Sequence, residues 1–423
     1  MRLTRRDLIR SGIGATTLLA SGSSVPTFLA RAASALAASS RADKGRVLVV
    51  LQFDGGNDGL NTVVPYRDDD YRKHRPTLQL AAGSLRKIDD RVGLHPSLGG
   101  LAKLLERQQL AVVQSVGYPN PNRSHFESMA IWHTARLKAD RGTSGWLARG
   151  LNERPAPAGG DARAMHIGDT TLPQALAGSQ GYVPSLASLE QFRRRLGLPE
   201  GADAGEQRTR LDSLVNTRPG APGSLLQFVQ RSTLLTYNSS ARLEGILRGQ
   251  KASVGYPDFY GLAGRLKLIA QLIKAGLATA IYYTRLDGFD THAYQLVTHA
   301  NLLREAGDSL KAFFDDLREA GADQRVLVLV FSEFGRRLAE NASGGTDHGT
   351  AAPVLLLGSS VHAGVHGPYP DLHDLRDGDP KHAIDFRQIY ATVLDDWLAC
   401  PSEKVLGEKF EHLPLLRSSR LTS

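Results

Sequence analysis

The chain has 423 residues, 41% of them hydrophobic and 22% charged, which excludes wholesale disorder and suffices for one large α/β domain or two smaller ones. Its single cysteine, Cys400, excludes an intrachain disulfide framework and a thiolate zinc site. Residues 1–37 carry five arginines against one aspartate and so supply half of the formal charge of +8; no long Lys/Arg block follows, and no nucleic-acid partner is expected.

The amino terminus reads as a targeting segment. Thr4-Arg5-Arg6-Asp7-Leu8-Ile9-Arg10 places a hydrophobic residue two positions after an arginine pair, an apolar stretch covers 13–20, and small residues end in Ala35-Leu36-Ala37. Charged start, short apolar core and A-x-A site make a bacterial twin-arginine export signal. The apolar stretch is too short, and too broken by Gly and Ser, to anchor in a bilayer. Cleavage near Ala37 is expected to leave one domain, 38–423, periplasmic or secreted. The export machinery is then a partner, and no stable membrane span is expected.

The run 46–53 is mostly Val, Leu and Phe and ends in Asp54, predicting a strand buried on both faces. The glycines of Asp54-Gly55-Gly56-Asn57-Asp58-Gly59 let backbone approach a ligand closely, with neither dinucleotide nor Walker spacing. Asp68-Asp69-Asp70 is expected to be a solvated turn. Ser97 is the expected cap of a helix through Leu98, Leu101, Leu104 and Leu105, and 109–117 is the second strand. Ser124, where the next helix begins, has two readings. With Glu127 three residues on, it completes a capping box; at a helix N-terminus, it is also placed to act as a nucleophile. Local sequence alone puts the cap first. An elaborated segment covers about 153–250, rich at first in Pro, Gly, Ala and Arg, with one short apolar piece at 164–168. Two helices broken at Gly255-Tyr256-Pro257 are expected over 222–277.

The run 280–284 leads into Asp287, Asp290 and His292. Amphipathic 293–320 joins it to 325–331, which ends in Glu333 and Arg336, giving the β-α-β order that a parallel sheet requires. Gly345-Thr346-Asp347-His348-Gly349 precedes another buried strand at 352–358, and Asp385 caps a helix that closes the chain. Three buried strands thus aim carboxylates and imidazoles at one sheet edge, where open α/β folds bind ligands. Carboxylate and imidazole together suit Zn, Mn or Fe. Asp287 is an alternative ligand or an orienting partner of His292, and the bland reading of Asp287-Gly288-Phe289-Asp290 is a turn. His348 is the best single ligand candidate. Arg336 pairs with Glu333 or clamps an oxyanion. His95, His133, His166 and His299 read as structural, as does His125 apart from its position beside Ser124.

The twin-arginine pattern, Phe53-Asp54-Gly55-Gly56-Asn57-Asp58, Asp287-Gly288-Phe289-Asp290-Thr291-His292, Ser332-Glu333-Phe334-Gly335-Arg336, Gly345-Thr346-Asp347-His348-Gly349 and Asp385-Phe386-Arg387 together resemble the exported bacterial domain-of-unknown-function family 1501. That family in turn is similar to the alkaline phosphatase and sulfatase superfamily. The resemblance implies an α/β fold: a doubly wound, mainly parallel sheet with helices on both faces, an alkaline phosphatase-like sandwich. It implies metal ligands at Asp54, Asp290, His292, Glu333 and His348, with one or two divalent ions (Zn, Mn or Ca). Ser124 would stand at the nucleophile, with Arg336 or the helix start stabilising the developing charge. Two departures stand out. Neither Asp287 nor Asp290 is four residues before His292, and Glu333-Phe334 replaces the superfamily's Asp-His dipeptide. Two function classes follow: a periplasmic metal-dependent hydrolase of small or polymeric phosphate or sulfate esters, and a non-catalytic exported binding or assembly protein with a degenerate metal site.

Overall fold

The computed structural model describes residues 45–137, 144–155, 161–168, 171–180, 183–186 and 252–417. The export segment, most of the elaborated segment and the first of the two helices expected over 222–277 lie outside the described residues. Among the latter, nine strands build the central sheet. In chain order they begin with β1 (Val47–Asp54), β2 (Leu110–Gly117), β3 (Ala164–Ile167), β4 (Ser185–Leu186) and β5 (Ile281–Asp287). They continue with β6 (Val326–Ser332), β7 (Ala352–Leu357), β8 (Gly364–His366) and β9 (Ile384–Asp385). The spatial order is β8-β2-β7-β6-β1-β5-β3-β4, with β9 also paired to β2. Strand β7 runs antiparallel to β2 and β6, and the other pairs are parallel.

The side-chain period of two decides what each face buries. Val47, Val49, Leu51 and Phe53 of β1 join Val326, Val328 and Val330 of β6 in one core, while Leu48 and Val50 join Leu327, Leu329 and Phe331 in another. The first core is covered by α1 (Gly99–Glu106), α4 (Gly261–Lys274) and α5 (Gln295–Glu319). The second is covered by α2 (His125–Thr134), α3 (Trp146–Asn152) and α6 (Phe386–Thr392). This is a mostly parallel sheet with helices on both faces. Truncating a fully buried contact such as Leu329→Ala would cost roughly 2–5 kcal/mol.

Three local expectations are corrected. Asp68-Asp69-Asp70 is no turn: Asp68 caps a short helix, Asp69–His74, by accepting from the Asp70 and Tyr71 amides, and Tyr71 is buried beneath it. Ser97 is not a cap, since α1 starts at Gly99 behind Leu98, and the Ser97 amide donates to His95 Nδ1 at 3.0 Å. Asp385 does form a capping box with Gln388, but α6 runs into a π turn and a further helix, Ser402–Leu406, follows. Among the described residues no helix is long and apolar enough to cross a membrane.

Strand direction gathers the site. Because β1, β5 and β6 are parallel neighbours, the residues after each emerge at one edge. Two antiparallel steps through β7 make β2 parallel to β6, so the segment leading to α2 emerges there as well. The hairpin Arg336–Glu340/Thr346–His348 lies between β6 and β7 in the chain.

Candidate metal centre

Asp290 lies in the loop after β5, and three imidazoles converge on its Oδ1. His292 Nε2 and His348 Nε2 are each 3.1 Å from that oxygen, and His125 Nε2 is 3.6 Å away. The two nearer ring nitrogens stand 2.9 Å from one another. Ligand atoms of His125, Asp290 and His348 all lie within 4.8 Å of one another. A tetrahedral zinc shell with bonds of about 2.0–2.1 Å has ligand–ligand edges of about 3.3 Å.

The far side of each ring decides its protonation. His125 Nδ1 faces Glu333 Oε1 at 2.8 Å, His292 Nδ1 faces Asp347 Oδ1 at 3.1 Å, and His348 Nδ1 faces the Arg123 carbonyl at 2.8 Å. Each partner is an acceptor, so the ring proton belongs on Nδ1 and the Nε2 lone pair points inward. Carboxylate or carbonyl behind an imidazole is the arrangement that orients histidine ligands. The three ring nitrogens crowd a carboxylate oxygen that also accepts from Arg336 Nη2 at 2.7 Å. The His125 Nε2 atom is buried with no hydrogen-bond partner, as a ligand atom awaiting a metal would be. The donor set of three imidazoles and a carboxylate fits Zn, Mn or Fe.

The support beneath is dry. Glu333 is fully buried and accepts from the Gly55 amide at 2.9 Å, from His125 and from Ser332 Oγ at 3.1 Å. This bond to Glu333 is the main reason the His125 pKa is raised, against the opposing effect of burial. Arg336 is also fully buried, donating to the carbonyls of Gly55, Gly56, Phe289 and Thr346 and to Asp290 Oδ1 at 2.7 Å. Partial burial pushes the Asp290 carboxyl up, but the bond from Arg336 outweighs it and holds the pKa below the usual range. Two glycines let the loops close: a Cβ on Gly55 (φ +117°) would sit 2.5 Å from the Asp290 nitrogen, and one on Gly345 would sit 2.3 Å from the His292 carbonyl carbon.

Among the residues expected from sequence, Asp290, His292 and His348 come together directly. Glu333 reaches the cluster through His125. Arg336 is buried and its hydrogen bonds go to four carbonyls and Asp290 rather than to Glu333, so the expected Glu333 pair and oxyanion clamp give way to a bracing position. Asp54 lines the same cleft of about 640 Å³ as His125 and Asp290, but its own partners are Gln52 at 2.8 Å and Arg285 at 3.3 Å. Asp287 joins that Arg285 pair at 2.9 Å, and burial together with the neighbouring Asp54 raises its pKa. Ser124 is exposed at the start of α2 and makes no side-chain cap bond. His125 is the ligand candidate that sequence reasoning left as structural; its place at the start of a helix after a carboxyl-edge strand was the available signal.

Fold and cluster together define an α/β protein with a candidate metal centre at the carboxyl edge of its sheet. The chain belongs to the family described as protein of unknown function (DUF1501), whose model matches residues 45–398. No curated protein matches it. Among solved structures it is similar to the PsFucS1 sulfatase from Pseudoalteromonas sp., at 14% identity and TM-score 0.36, covering 91% of this chain and 72% of that one. It is also similar to the C-terminal periplasmic domain of EcEptC from Escherichia coli in complex with Zn, at 11% identity and TM-score 0.36, covering 75% and 74%. A protein in the alkaline phosphatase superfamily from Vibrio parahaemolyticus gives 10% identity and TM-score 0.36, covering 78% and 64%. Likeness at this level carries no argument; the sheet order itself defines the fold.

Proposed function

We propose that the protein is an exported metal-dependent hydrolase of phosphate or sulfate esters. One observation carries the metal half of this reading: three imidazole Nε2 atoms and one carboxylate oxygen converge while each ring's Nδ1 faces an acceptor behind it. The ester half rests on the motif resemblance set out above. His125, Asp290, His292 and His348 would hold the ion, with Glu333, Asp347 and the Arg123 carbonyl orienting the rings. A divalent cation there supplies a Lewis acid for an ester oxygen. Ser124, exposed and uncapped directly before His125, is the proposed nucleophile: its Oγ bonds to phosphorus or sulfur as the bond to the leaving alcohol breaks, and water then releases the acid. The amide groups opening α2 favour the negative charge that develops. Asp54, which lines the cleft with His125 and Asp290, is proposed to receive or return the proton.

The test is Ser124→Ala assayed on a phosphatase and sulfatase substrate panel with Zn²⁺, Mn²⁺ and Ca²⁺ supplied. Turnover should fall by at least a hundredfold with metal content intact. Unchanged turnover eliminates the covalent route.

A further inference from the structure

We infer that Gln295 is a positioning residue for the metal centre, acting through the threonines that stand beside two of its histidines. This rests on the metal reading proposed above. Gln295 opens α5, is wholly buried and touches none of the four candidate ligands. Its Oε1 accepts from Thr291 Oγ1 at 3.1 Å and from Thr346 Oγ1 at 2.6 Å. Thr291 directly precedes His292, and Thr346 lies two residues before His348. One amide oxygen therefore pins the loop after β5 to the hairpin strand, beside a backbone bond from Thr346 N to Thr291 O at 3.2 Å.

The amide is held one way round. Its Nε2 donates to Asp58 Oδ2, and a flipped side chain would set a carbonyl against that carboxylate. Asp58 is itself locked. It pairs with Arg75 Nη1 at 2.6 Å, neither side chain exposed, and it accepts from the Leu60 and Asn61 amides. Arg75 continues to the carbonyls of Leu338 and Arg337 at 2.9 and 2.8 Å, in the strand opposite Thr346–His348. The chain of contacts runs from a buried ion pair, through one amide, to two hydroxyls, on residues one and two positions before His292 and His348. Buried polar groups held this fully fix a unique arrangement rather than add much stability. Here the arrangement fixed is the separation of His292 and His348.

Titrating Zn²⁺ into the full chain and its variants by calorimetry tests this. Gln295→Leu keeps the side chain's bulk and removes both halves of the amide; Zn²⁺ affinity should fall roughly ten- to a hundredfold, the range seen when groups orienting metal ligands are lost. Thr346→Val removes only a hydroxyl and should cost about tenfold, whereas Thr346→Ser retains it and should bind like wild type. Should Gln295→Leu not fold, Thr291→Val and Thr346→Val decide. A merely structural role predicts a lower Tm with Zn²⁺ affinity unchanged, and that result overturns the inference. So does equal weakening by Thr346→Ser and Thr346→Val, which would make packing, not the hydroxyl, the cause. Wild-type protein that binds no Zn²⁺ sinks the metal reading and this inference with it; wild-type binding with indifferent variants sinks this one alone.

Discussion

Two aspartates in this molecule each grip an arginine, and they serve opposite ends. Asp58 meets Arg75 with neither side chain exposed, while Asp290 meets the buried Arg336 with its own carboxylate 49% exposed. Arginine holds both carboxyls below the ordinary range against the upward push of burial. What separates them is the rest of each shell. Around Asp58 the other partners are donors: Gln295 and the Leu60 and Asn61 amides. Around Asp290 they are imidazole nitrogens whose protons are committed elsewhere. The first carboxylate is enclosed by donors; the second shares its oxygen between one guanidinium and three ring nitrogens, the arrangement proposed above to hold an ion. Donor–acceptor balance, not the ion pair, marks the site.

The largest effect that would break this contrast is on stability. Asp58→Ala leaves Arg75 charged and unpaired in the core and should cost about 3–5 kcal/mol in denaturant unfolding. Asp290→Asn, at the solvent edge, should stay within about 1 kcal/mol of wild type while abolishing tight Zn²⁺ binding. Equal losses in the two variants would erase the distinction.

Acid sharpens it next. Burial depresses the pKa of His133 to about 4 and that of His299, beside Asp58, to about 3. An unfolded chain binds these protons near pH 6.5, where the folded one refuses them. The contribution of these two rings is therefore flat above pH 6.5 and destabilises as pH drops toward 4, by on the order of 3 kcal/mol for His133 alone. A flat stability profile over that window, measured by equilibrium unfolding, would contradict the placement of these rings. Smallest is the cap: Asp385→Ala removes a capping box whose hydrogen bonds go to Gln388 and Arg387 and should cost about 1 kcal/mol, leaving Zn²⁺ binding untouched.

The long apolar strands were legible because burial on both faces leaves a continuous Val/Leu signature, as in 326–331. Asp290, His292 and His348 were legible because each follows or precedes such a strand. Four things were not. His125 carries its function through Glu333, a partner 208 residues away, and no local pattern encodes that pairing. Arg336 read as a partner of Glu333 or an oxyanion clamp because sequence cannot say that four carbonyls will surround a guanidinium. Asp68–Asp70 looked like a turn because an acid run reads as solvated, yet the first acid caps and Tyr71 buries itself beneath. Asp54 ended the expected strand and reached the expected edge, but Arg285 from the adjacent strand occupies it.

The most direct measurement is a Zn²⁺ titration of the purified chain beside His125→Ala/His292→Ala/His348→Ala. Binding of one ion per chain, lost in the triple variant while its fold persists, is the predicted result. Equal binding by both proteins, or none by the wild type, would contradict a metal centre at this edge of the sheet.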